Sequence, residues 1–260
     1  MLKAERHRLI MEALENDGRL IVGDLVDQFN VSEMTIRRDL SDLEQQGLLR
    51  RVHGGAVRDL GRNYEPPYQL RASKNRSTKQ LIAKLAAEMI VDGDSIALDT
   101  GTTTLEIVHN LAGIANLTIL THSMMVANEV INSLILESDV RLILAGGIVR
   151  SGELSMIGHI PLSTYQEFNI DKAFVGIAGL SLREGLTEFS LEDALVKRAM
   201  LDRAREAILL ADGSKFGCVA FTSVCSLDCV DAIVTDASAL ADMVSELRQS
   251  GIQVVIADEV

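Results

Sequence analysis

The sequence predicts an α/β protein with a small N-terminal domain of helices and one β-hairpin, followed by a larger domain in which helices cover a mostly parallel sheet. Two observations carry this prediction. In residues 3–45 the apolar side chains recur at helical spacing, and a Gly-Gly pair follows soon after. From residue 77 onward, short apolar segments typical of buried strands alternate with helical segments. A chain of 260 residues is long enough to form both domains.

Three helices are predicted near the N-terminus. The spacing of apolar side chains predicts a first helix over residues 3–16 and a second over residues 23–29. Residues 30–32 form a tight turn, and two short helices joined by such a turn are typical of a helix-turn-helix. Ser32 is the expected N-cap of the third helix, and Gly47 marks its expected end.

The third helix has two different faces. Ile36, Leu40 and Leu43 fall on one side and can pack into a small core. The opposite side and its flanks carry Met34, Thr35, Arg37, Arg38, Ser41 and Gln45. A helix with an apolar back and a front of Arg, Ser and Gln is the part that a helix-turn-helix protein places in the DNA major groove. An ordinary amphipathic surface helix would have the same pattern, and the helix alone does not separate the two interpretations.

A short hairpin is predicted directly after this helix. Residues 48–57 read as two strands around a Gly-Gly tip, which is the form of the wing in a winged helix-turn-helix. Basic side chains on this wing are free to contact DNA phosphates. We therefore assign residues 1–58 to a winged helix-turn-helix domain. Its candidate DNA-binding residues are Ser32, Met34, Thr35, Arg37, Arg38, Ser41, Gln45, Arg50, Arg51, His53 and Gly54.

The net charge of −12 is unevenly divided along the chain. Residues 1–58 hold 9 Lys/Arg and 10 Asp/Glu, a net charge of −1, so that 16 Lys/Arg and 27 Asp/Glu, a net charge of −11, remain for residues 59–260. A nearly neutral DNA-binding domain predicts modest non-specific affinity, so that two copies are needed for firm binding. We expect a homo-oligomer, either a dimer or a tetramer.

Composition also indicates where in the cell the protein is expected and whether its cysteines could bind a metal. Cys218, Cys225 and Cys229 have no further Cys or His nearby that would complete a zinc site, and we expect reduced, buried or half-buried thiols. The charged, helical N-terminus argues against a signal peptide, and no apolar run approaches the roughly 20 residues of a membrane span. The sequence predicts a cytoplasmic protein without metal or cofactor.

Residues 59–76 are predicted to be a linker. Pro66 and Pro67 remove backbone donors and hold the chain extended, so they cannot lie inside a helix. Between residues 62 and 79 the only acidic residue is Glu65. The cations of this run are Arg62, Arg71, Lys74, Arg76 and Lys79. They either contact DNA phosphates or the domain interface, or form the solvated start of a helix, which is the favoured interpretation.

The larger domain, residues 77–260, is predicted to be a Rossmann-like α/β fold. Its strands are expected at residues 95–99, 117–121, 140–145, 172–178, 206–211, 232–235 and 253–257. Its helices are expected at residues 77–91, 103–112, 124–135, 160–168, 190–204 and 237–249. In such sheets, ligands bind beyond the carboxyl ends of the strands.

Three of the predicted strand ends carry side chains suited to an anion. The first loop contains Asp99, Thr100, Gly101, Thr102, Thr103 and Thr104; the second contains Thr121 and Ser123; the third contains Lys215. Threonine hydroxyls and backbone N–H groups can hold a phosphate, and a lysine can neutralise it. Each signal alone has a simpler explanation, because Thr and Ser also cap helices and a loop lysine is usually solvated. Together at one edge they predict a phosphorylated ligand.

Longer motifs resemble a known family. Residues 35–40, 43–44, 47 and 51–56 are similar to the winged helix-turn-helix of the DeoR/GlpR family of bacterial transcription regulators. Residues 144–147, 171–174, 185–187 and 196–200, with the three loops, resemble the sensor domain of that family. The resemblance implies a sensor fold similar to ribose-5-phosphate isomerase, an oligomer, and a repressor of carbohydrate metabolism that a sugar phosphate releases from its operator.

The resemblance also suggests further effector contacts. By analogy, Glu188, Glu192 and Lys215 are candidate contacts for the sugar phosphate. The two glutamates lie one helical turn apart, and such pairs usually sit on a solvated face. At His122 relatives commonly have Asn, which offers a donor and an acceptor to a sugar hydroxyl; the histidine is either a ligand contact or a satisfied loop residue.

Two other classes of protein would explain parts of the sequence. A sugar-phosphate isomerase-like enzyme with accessory N-terminal helices would need a positioned carboxylate and a second acid group. The isomerases that this domain resembles carry acidic residues directly after the strand that here reads 174–181, whereas this chain has no carboxylate there before Glu184. Glu192 alone would be half of a catalytic pair. A pure assembly protein would leave the arginine-bearing helix face and the wing unused, so we predict a regulator and not an enzyme.

Overall fold

A computed structural model describes residues 2–45, 48–57, 61–135 and 139–257. Contacts within the chain divide it into two compact units, Met1–Pro66 and Pro67–Val260. Each unit has its own apolar core. No helix in the described ranges is both long enough and apolar enough to cross a membrane.

The first unit is built from three helices and a small antiparallel sheet. Its elements are α1 (Lys3–Asp17), β1 (Arg19–Ile21), α2 (Val22–Phe29), α3 (Glu33–Gln45), β2 (Arg50–Val52) and β3 (Gly55–Val57). The three predicted helices and the hairpin are confirmed. The strand β1 was not predicted, and it pairs with β3 to give the order β1-β3-β2. The expected helix end at Gly47 lies outside the described residues.

The core of the first unit confirms the predicted inward face of α3. Ile36, Leu40 and Leu43 are all buried and pack in one apolar cluster with Ile10 and Leu14 of α1. At about 25 cal/mol per Å² of apolar surface, burial of each such side chain contributes roughly 1.5–3 kcal/mol. The back of α3 is thereby held against the rest of the unit, and its front is left for other partners.

The second unit is dominated by a parallel sheet of seven strands. These strands are β4 (Ser95–Leu98), β5 (Leu117–Thr121), β6 (Val140–Leu144), β9 (Ile170–Gly176), β12 (Ala204–Leu210), β14 (Ala232–Asp236) and β15 (Gln253–Ala257). Their order is β15-β14-β12-β9-β4-β5-β6. Every pairing within this sheet is parallel, which confirms the predicted Rossmann-like architecture.

Helices cover both faces of this sheet. They are α4 (Tyr68–Ser73), α5 (Arg76–Ala87), α6 (Thr102–Val108), α7 (Met124–Val130), α8 (His159–Gln166), α9 (Leu191–Leu201) and α10 (Ala241–Gln249). Along β9, Ala173 and Val175 belong to one apolar cluster and Phe174 to the other. Alternate residues of a strand point to opposite faces, so the two clusters are the cores on the two sides of the sheet.

Several short elements of the second unit were not predicted. They are the hairpin of β7 (Ile148–Arg150) and β8 (Ser155–Ile157), and an antiparallel sheet of β10 (Gly179–Ser181), β11 (Gly185–Glu188) and β13 (Thr222–Cys225). Strands of three or four residues are too short for a period of two to be recognised. The helix α4 lies inside the predicted linker 59–76, and from Pro67 onward this segment belongs to the second unit.

The expectation of reduced, buried or half-buried thiols is wrong for the redox state of Cys225 and Cys229 and for the burial of Cys218, whereas Cys225 and Cys229 are half-buried as expected. Cys225 and Cys229 form a disulfide, and the remaining Cys218 is a free but exposed thiol. Cys225 ends β13, and Cys229 lies in a short 3-10 helix that follows at once. This turn brings together two sulfurs that are separated by only four positions in sequence. The sequence spacing alone did not reveal the turn.

Candidate DNA-binding surface and effector site

The start of α3 is fixed by a side-chain cap. The backbone N–H of Thr35 donates to Ser32 Oγ at 3.2 Å, and the hydroxyls of these two residues lie 2.9 Å apart. An N-cap of this kind satisfies a helix donor that would otherwise lack a partner. The predicted N-cap at Ser32 is confirmed, and it sets the register of every side chain on the helix.

The outward face of α3 carries the predicted contact residues. Met34 is 80% exposed, and Arg37 and Arg38 are exposed as well. The Arg37 guanidinium forms an ion pair at 2.6 Å with Glu33 one turn earlier. Arg38 has no hydrogen-bond or ion-pair partner in the part of the chain that the structure describes. Ser41 lies on the same face and is half-buried; of Gln45, only its place at the end of the helix is described.

A buried carboxylate joins the back of α3 to α1. Asp39 is 2% exposed and accepts hydrogen bonds from Arg6 Nε at 2.5 Å and Arg6 Nη2 at 3.0 Å. His7 Nε2 lies 3.1 Å from the same carboxylate. A bidentate Arg–carboxylate pair fixes geometry as well as adding energy. Asp39 therefore orients α3, although it stands beside Arg38 in sequence and does not face outward.

The wing is short and its tip is exposed. β2 and β3 are joined by a turn at His53 and Gly54, and the side chains of Arg50 and Arg51 lie on the exposed strand. The backbone N–H of Arg51 donates to Glu44 Oε1 at 2.8 Å, which ties the wing to α3. Gly55 must be glycine, because a Cβ there would come within 1.8 Å of the Leu20 carbonyl oxygen.

Among the described residues, one group has donor atoms close enough together for a metal ion. The donor atoms of His7, Asp39 and Asp42 lie within 4.8 Å of one another. Both carboxylates are already neutralised, Asp39 by Arg6 and Asp42 by Lys3 at 2.6 Å. Two adjacent positive charges oppose a divalent cation, so this group is an ion-pair network that holds α1 against α3.

The order of the large sheet reverses between β4 and β9. From β4 the chain adds β5 and β6 on one side, and then returns to add β9, β12, β14 and β15 on the other. A reversal of this kind leaves a crevice beyond the carboxyl ends of the two central strands. The first predicted loop, residues 99–104, follows β4 directly and lies at this crevice.

Asp99 lies beneath this crevice and not at its surface. Its carboxylate is fully buried, accepts a hydrogen bond from the Gly176 N–H at 2.9 Å, and forms an ion pair with Lys197 of α9. Lys197 Nζ also donates to the Gly176 carbonyl at 3.1 Å and lies 3.4 Å from Glu188. Despite the burial of both groups, the Lys197 charge keeps the pKa of Asp99 below its usual value and Asp99 raises that of Lys197. Asp99 therefore fastens the first loop to α9.

The hydroxyls of the first two loops divide into two groups. Thr104 donates to the carbonyls of Asp99 and Gly101, and Thr121 donates to the Leu98 carbonyl. Ser123 caps α7 by accepting from the Val126 N–H at 3.2 Å. The hydroxyls of Thr100, Thr102 and Thr103 have no hydrogen-bond partner among the residues that the structure describes. The bonded hydroxyls of the first group shape the loops, whereas those of the second group, on residues that are each 8% exposed, are the candidates for contact with a ligand.

The third loop brings a lysine and several charges together. Lys215 lies in a short 3-10 turn at residues 213–215, directly after Asp212. Burial lowers the pKa of Lys215, and the nearby Arg71 charge lowers it further, whereas Asp212 and Glu188 raise it. Glu188 is buried and accepts a hydrogen bond from the Phe189 N–H, whereas Glu192 is exposed and accepts one from Ser190. The two glutamates are therefore not two members of one solvated face.

His122 is a buried member of the second loop. Its Nδ1 lies 3.0 Å from the Tyr165 hydroxyl, and its Nε2 lies 3.7 Å from Asp99 Oδ1. Burial lowers the pKa of His122 to about 4, so the imidazole is neutral at pH 7. In this arrangement His122 supports the loop from behind through Tyr165.

Sequence reasoning missed three charged residues around this site. Lys197 was matched only as part of a motif, and Lys79 and Arg71 were assigned to a solvated helix start. Lys79 is 6% exposed and donates from Nζ to the Arg71 carbonyl, and Arg71 forms an ion pair with Glu153, so that assignment is wrong for both. A signal was present for the lysines, since each stands on the apolar stripe of its helix. A charge on such a stripe indicates a buried partner.

Comparisons with known proteins agree with both units. A DeoR-like helix-turn-helix domain model matches residues 6–60, and a DeoR C terminal sensor domain model matches residues 74–237. The glycerol-3-phosphate regulon repressor of Escherichia coli strain K12 is 35% identical over 97% of this chain and 98% of its own length. The HTH-type transcriptional regulator GlpR of Haloferax volcanii is 34% identical over 98% of each chain.

Solved structures give weaker likenesses. Ribose 5-phosphate isomerase A from Methanocaldococcus jannaschii aligns with a TM-score of 0.41 at 18% identity over 55% of each chain. The delta subunit of eIF2B from Chaetomium thermophilum aligns with a TM-score of 0.43 at 16% identity, over 64% of this chain and 57% of that one. The sequence matches carry the assignment, and they identify a regulator and not an enzyme. The two family models together cover most of the chain, and the chain belongs to the DeoR family of transcriptional regulators.

Proposed function

We propose that this protein represses an operon of carbohydrate metabolism and that a phosphorylated sugar releases it from its operator. The observation that carries the proposal is the outward face of α3, where a capped helix presents Arg38 without a hydrogen-bond or ion-pair partner in the described residues. Leaving an arginine exposed and unpaired on a rigid helix is what direct reading of a base edge requires. Relatives named as a regulon repressor and as transcriptional regulators support the same conclusion.

In this proposal the first unit divides its contacts between bases and phosphates. Met34, Arg38 and Ser41 face the base edges in the major groove, together with Gln45 at the end of the helix. The flanks of α3 and the wing contact the backbone. These phosphate contacts come from Ser32, Thr35, Arg37, Arg50, Arg51, His53 and the Gly54 N–H.

The second unit would bind the effector at the reversal of the sheet. The unpartnered hydroxyls of Thr100, Thr102 and Thr103 in the described part of the chain, with the lysine of the third loop, suit a phosphate group. Thr104, Thr121, Ser123 and Asp99 would act by holding the loops in place, since their polar atoms bond within the fold. Glu188 and Glu192 remain the candidates for sugar hydroxyls.

Regulation then follows from linkage between the two sites. We propose a dimer or tetramer that presents two copies of α3 to a repeated operator in the cytoplasm, because one nearly neutral DNA-binding unit would bind weakly. An effector that favours another arrangement of the units, by about 1–3 kcal/mol, would lower operator affinity roughly 5- to 150-fold.

Selection of genomic DNA fragments on the purified protein tests this proposal. We expect a few repeated sites to be enriched, and a pool of sugar phosphates to remove that enrichment. Arg38→Ala should weaken binding to a selected site by roughly 5- to 150-fold, which is the value of a bidentate base contact.

A matched control is Arg8→Ala, which removes an exposed arginine of α1 that pairs with Glu12 in the same unit. The control should keep operator affinity close to that of the wild type. If Arg38→Ala binds the selected site as well as the control does, α3 does not read the operator and the assignment of the surface fails.

A further inference from the structure

A chain of charged side chains leads from the crevice of the second unit to α4. Asp99 forms its ion pair with Lys197 of α9, and one helical turn earlier Asp193 pairs with Arg150 at 2.6 Å. Ser155 Oγ donates to the same aspartate at 3.1 Å. Arg150 and Ser155 flank the turn between β7 and β8. That turn therefore receives its support from the helix that holds the effector loop.

The same turn carries the partner of the α4 arginine. Glu153 is 6% exposed, and its carboxylate forms an ion pair with Arg71 Nη2. A carboxylate taken so far out of water depends on its cationic partner, and removing that partner is strongly unfavourable. The pair is thus a latch between the β7–β8 turn and α4.

Arg71 of α4 also lies close enough to the third loop for its charge to act on Lys215. Lys79 Nζ donates to the Arg71 carbonyl, and the charges of Lys215 and Asp212 act on Lys79 together with that of Arg71. Burial is the first cause that lowers the pKa of Lys79, to about 8; the Asp212 carboxylate raises it, and the surrounding cations lower it further. The cations Arg71, Lys79 and Lys215 are thus balanced by Asp212 and by the Glu153 carboxylate on Arg71, and an anion that takes the place of Glu153 would keep this balance.

The helix α4, which carries Arg71, lies next to the point in the chain where the two units join. α4 begins at Tyr68, directly after Pro66 and Pro67, where the contacts divide the chain into its two units. The prolines stiffen this connection. A change at α4 therefore lies directly next in sequence to the point where the two units join.

We propose that Arg71 contacts the phosphate of the effector and that Glu153 occupies Arg71 in its absence, so that effector binding unlatches α4. The inference rests on the proposed function and adds the residue that joins the two sites. In the free protein Glu153 stands where the phosphate would stand on the guanidinium. In the bound protein the phosphate bridges Arg71, Lys79 and Lys215. The exchange of one anion for another leaves no buried cation of this cluster unpaired, and the displaced Glu153 carboxylate has to move into water with the β7–β8 turn, because it cannot stay buried without a cation.

The two partners of the latch should have opposite effects when they are changed. Arg71→Gln removes a phosphate contact, so effector binding should weaken roughly 10- to 100-fold, the value of a hydrogen bond between charged groups. Glu153→Gln removes the competitor, so effector binding should tighten several-fold and the operator should be released at lower effector concentration. A purely structural pair would weaken binding in both variants.

The experiment uses the full chain and a selected operator fragment. Operator binding is followed by fluorescence anisotropy while inorganic phosphate, glycerol 3-phosphate, glucose 6-phosphate or fructose 6-phosphate is added. The matched control is Arg205→Gln, which removes an exposed arginine of the second unit that pairs with Asp171. Operator binding without effector reports that each variant is folded. Arg71→Lys provides a second variant, which keeps the positive charge but loses the two parallel N–H donors of the guanidinium.

The outcomes separate this inference from the proposed function. Opposite shifts for Arg71→Gln and Glu153→Gln, with Arg205→Gln unchanged, support the latch. If the wild type is released and both variants respond as it does, the latch is overturned while the repressor mechanism stands. If no sugar phosphate releases the wild type, the effector half of the proposed function fails, and the latch fails with it.

Discussion

The ion pair between Asp99 and Lys197 gives the sharpest test of how the proposed effector site is held together. Asp99→Asn removes the charge but keeps the shape, and it leaves the Lys197 ammonium, on a residue that is 4% exposed, without its principal carboxylate. Breaking a buried pair in this way costs about 3–5 kcal/mol. Glu188 remains 3.4 Å from Lys197 and compensates in part, so we expect the lower end, about 3 kcal/mol.

Removing both partners should cost much less than removing one. Lys197→Met leaves Asp99 as a buried carboxylate without its cation, with the backbone N–H groups of Gly176 and Thr100 as donors, and should also cost about 3 kcal/mol. The double variant buries neither charge, and we expect it within about 1–2 kcal/mol of the wild type. The two changes are therefore expected to be strongly non-additive, as for residues in one buried network.

Urea denaturation followed by tyrosine fluorescence measures these differences. The chain has no Trp, and Tyr165 is fully buried in the second unit beside His122, so its emission reports the unfolding of that unit. Glu184→Gln is the control, because Glu184 pairs with Arg183 on the surface at 3.5 Å and should change stability by less than about 1 kcal/mol. If Asp99→Asn is no more destabilising than this control, or if the two single changes simply add, the pair does not hold the loop.

Two further predictions concern the network behind α3 and the charge state of the effector site. Asp39→Asn leaves the buried Arg6 guanidinium without its carboxylate, so operator affinity should be lost at lower urea concentration than in the wild type; equal urea midpoints would show that this network does not hold α3. Because burial and neighbouring cations lower the pKa of Lys79 to about 8, this lysine loses its charge as pH rises from 7 to 9.5, while a phosphate monoester stays doubly charged. Sugar-phosphate affinity measured by calorimetry should therefore fall over this range, and Lys79→Met should remove the part of the fall that Lys79 causes, while Lys215, whose pKa burial also lowers, keeps the rest; a variant with the same pH dependence as the wild type would exclude Lys79.

Local patterns account for the parts of the fold that were predicted correctly. The N-cap at Ser32 and the stripe of Ile36, Leu40 and Leu43 depend on residues within four positions of one another, and both are found. The seven parallel strands were also predicted, because buried strands between helices form continuous apolar runs. The short strands β1, β10, β11 and β13 were not, because they exist only through pairing with distant segments.

The same distinction applies to the candidate site residues: the place of their loops could be predicted, but the hydrogen-bond partners of their side chains could not. Parallel strands end at one edge of a sheet, so the order of strands and helices along the chain is enough to bring the loops at residues 99–104, 121–123 and 212–215 to one place. The order of elements does not show which polar atoms in those loops form hydrogen bonds within the protein. The hydroxyls of Thr104 and Thr121 donate to backbone carbonyls, whereas the hydroxyl of Thr100 has no partner in the described part of the chain.

The amino-acid sequence was enough to predict a winged helix-turn-helix joined to a parallel α/β domain, together with the face of α3 that points outward. Both follow from the periodicity of apolar residues along the chain. Three pairings became visible only in the folded chain: Asp99 pairs with Lys197, 98 positions away, Glu153 pairs with Arg71, and Cys225 bonds to Cys229. Charges and thiols find their partners through space. Their energy depends on burial and distance, which no local pattern records.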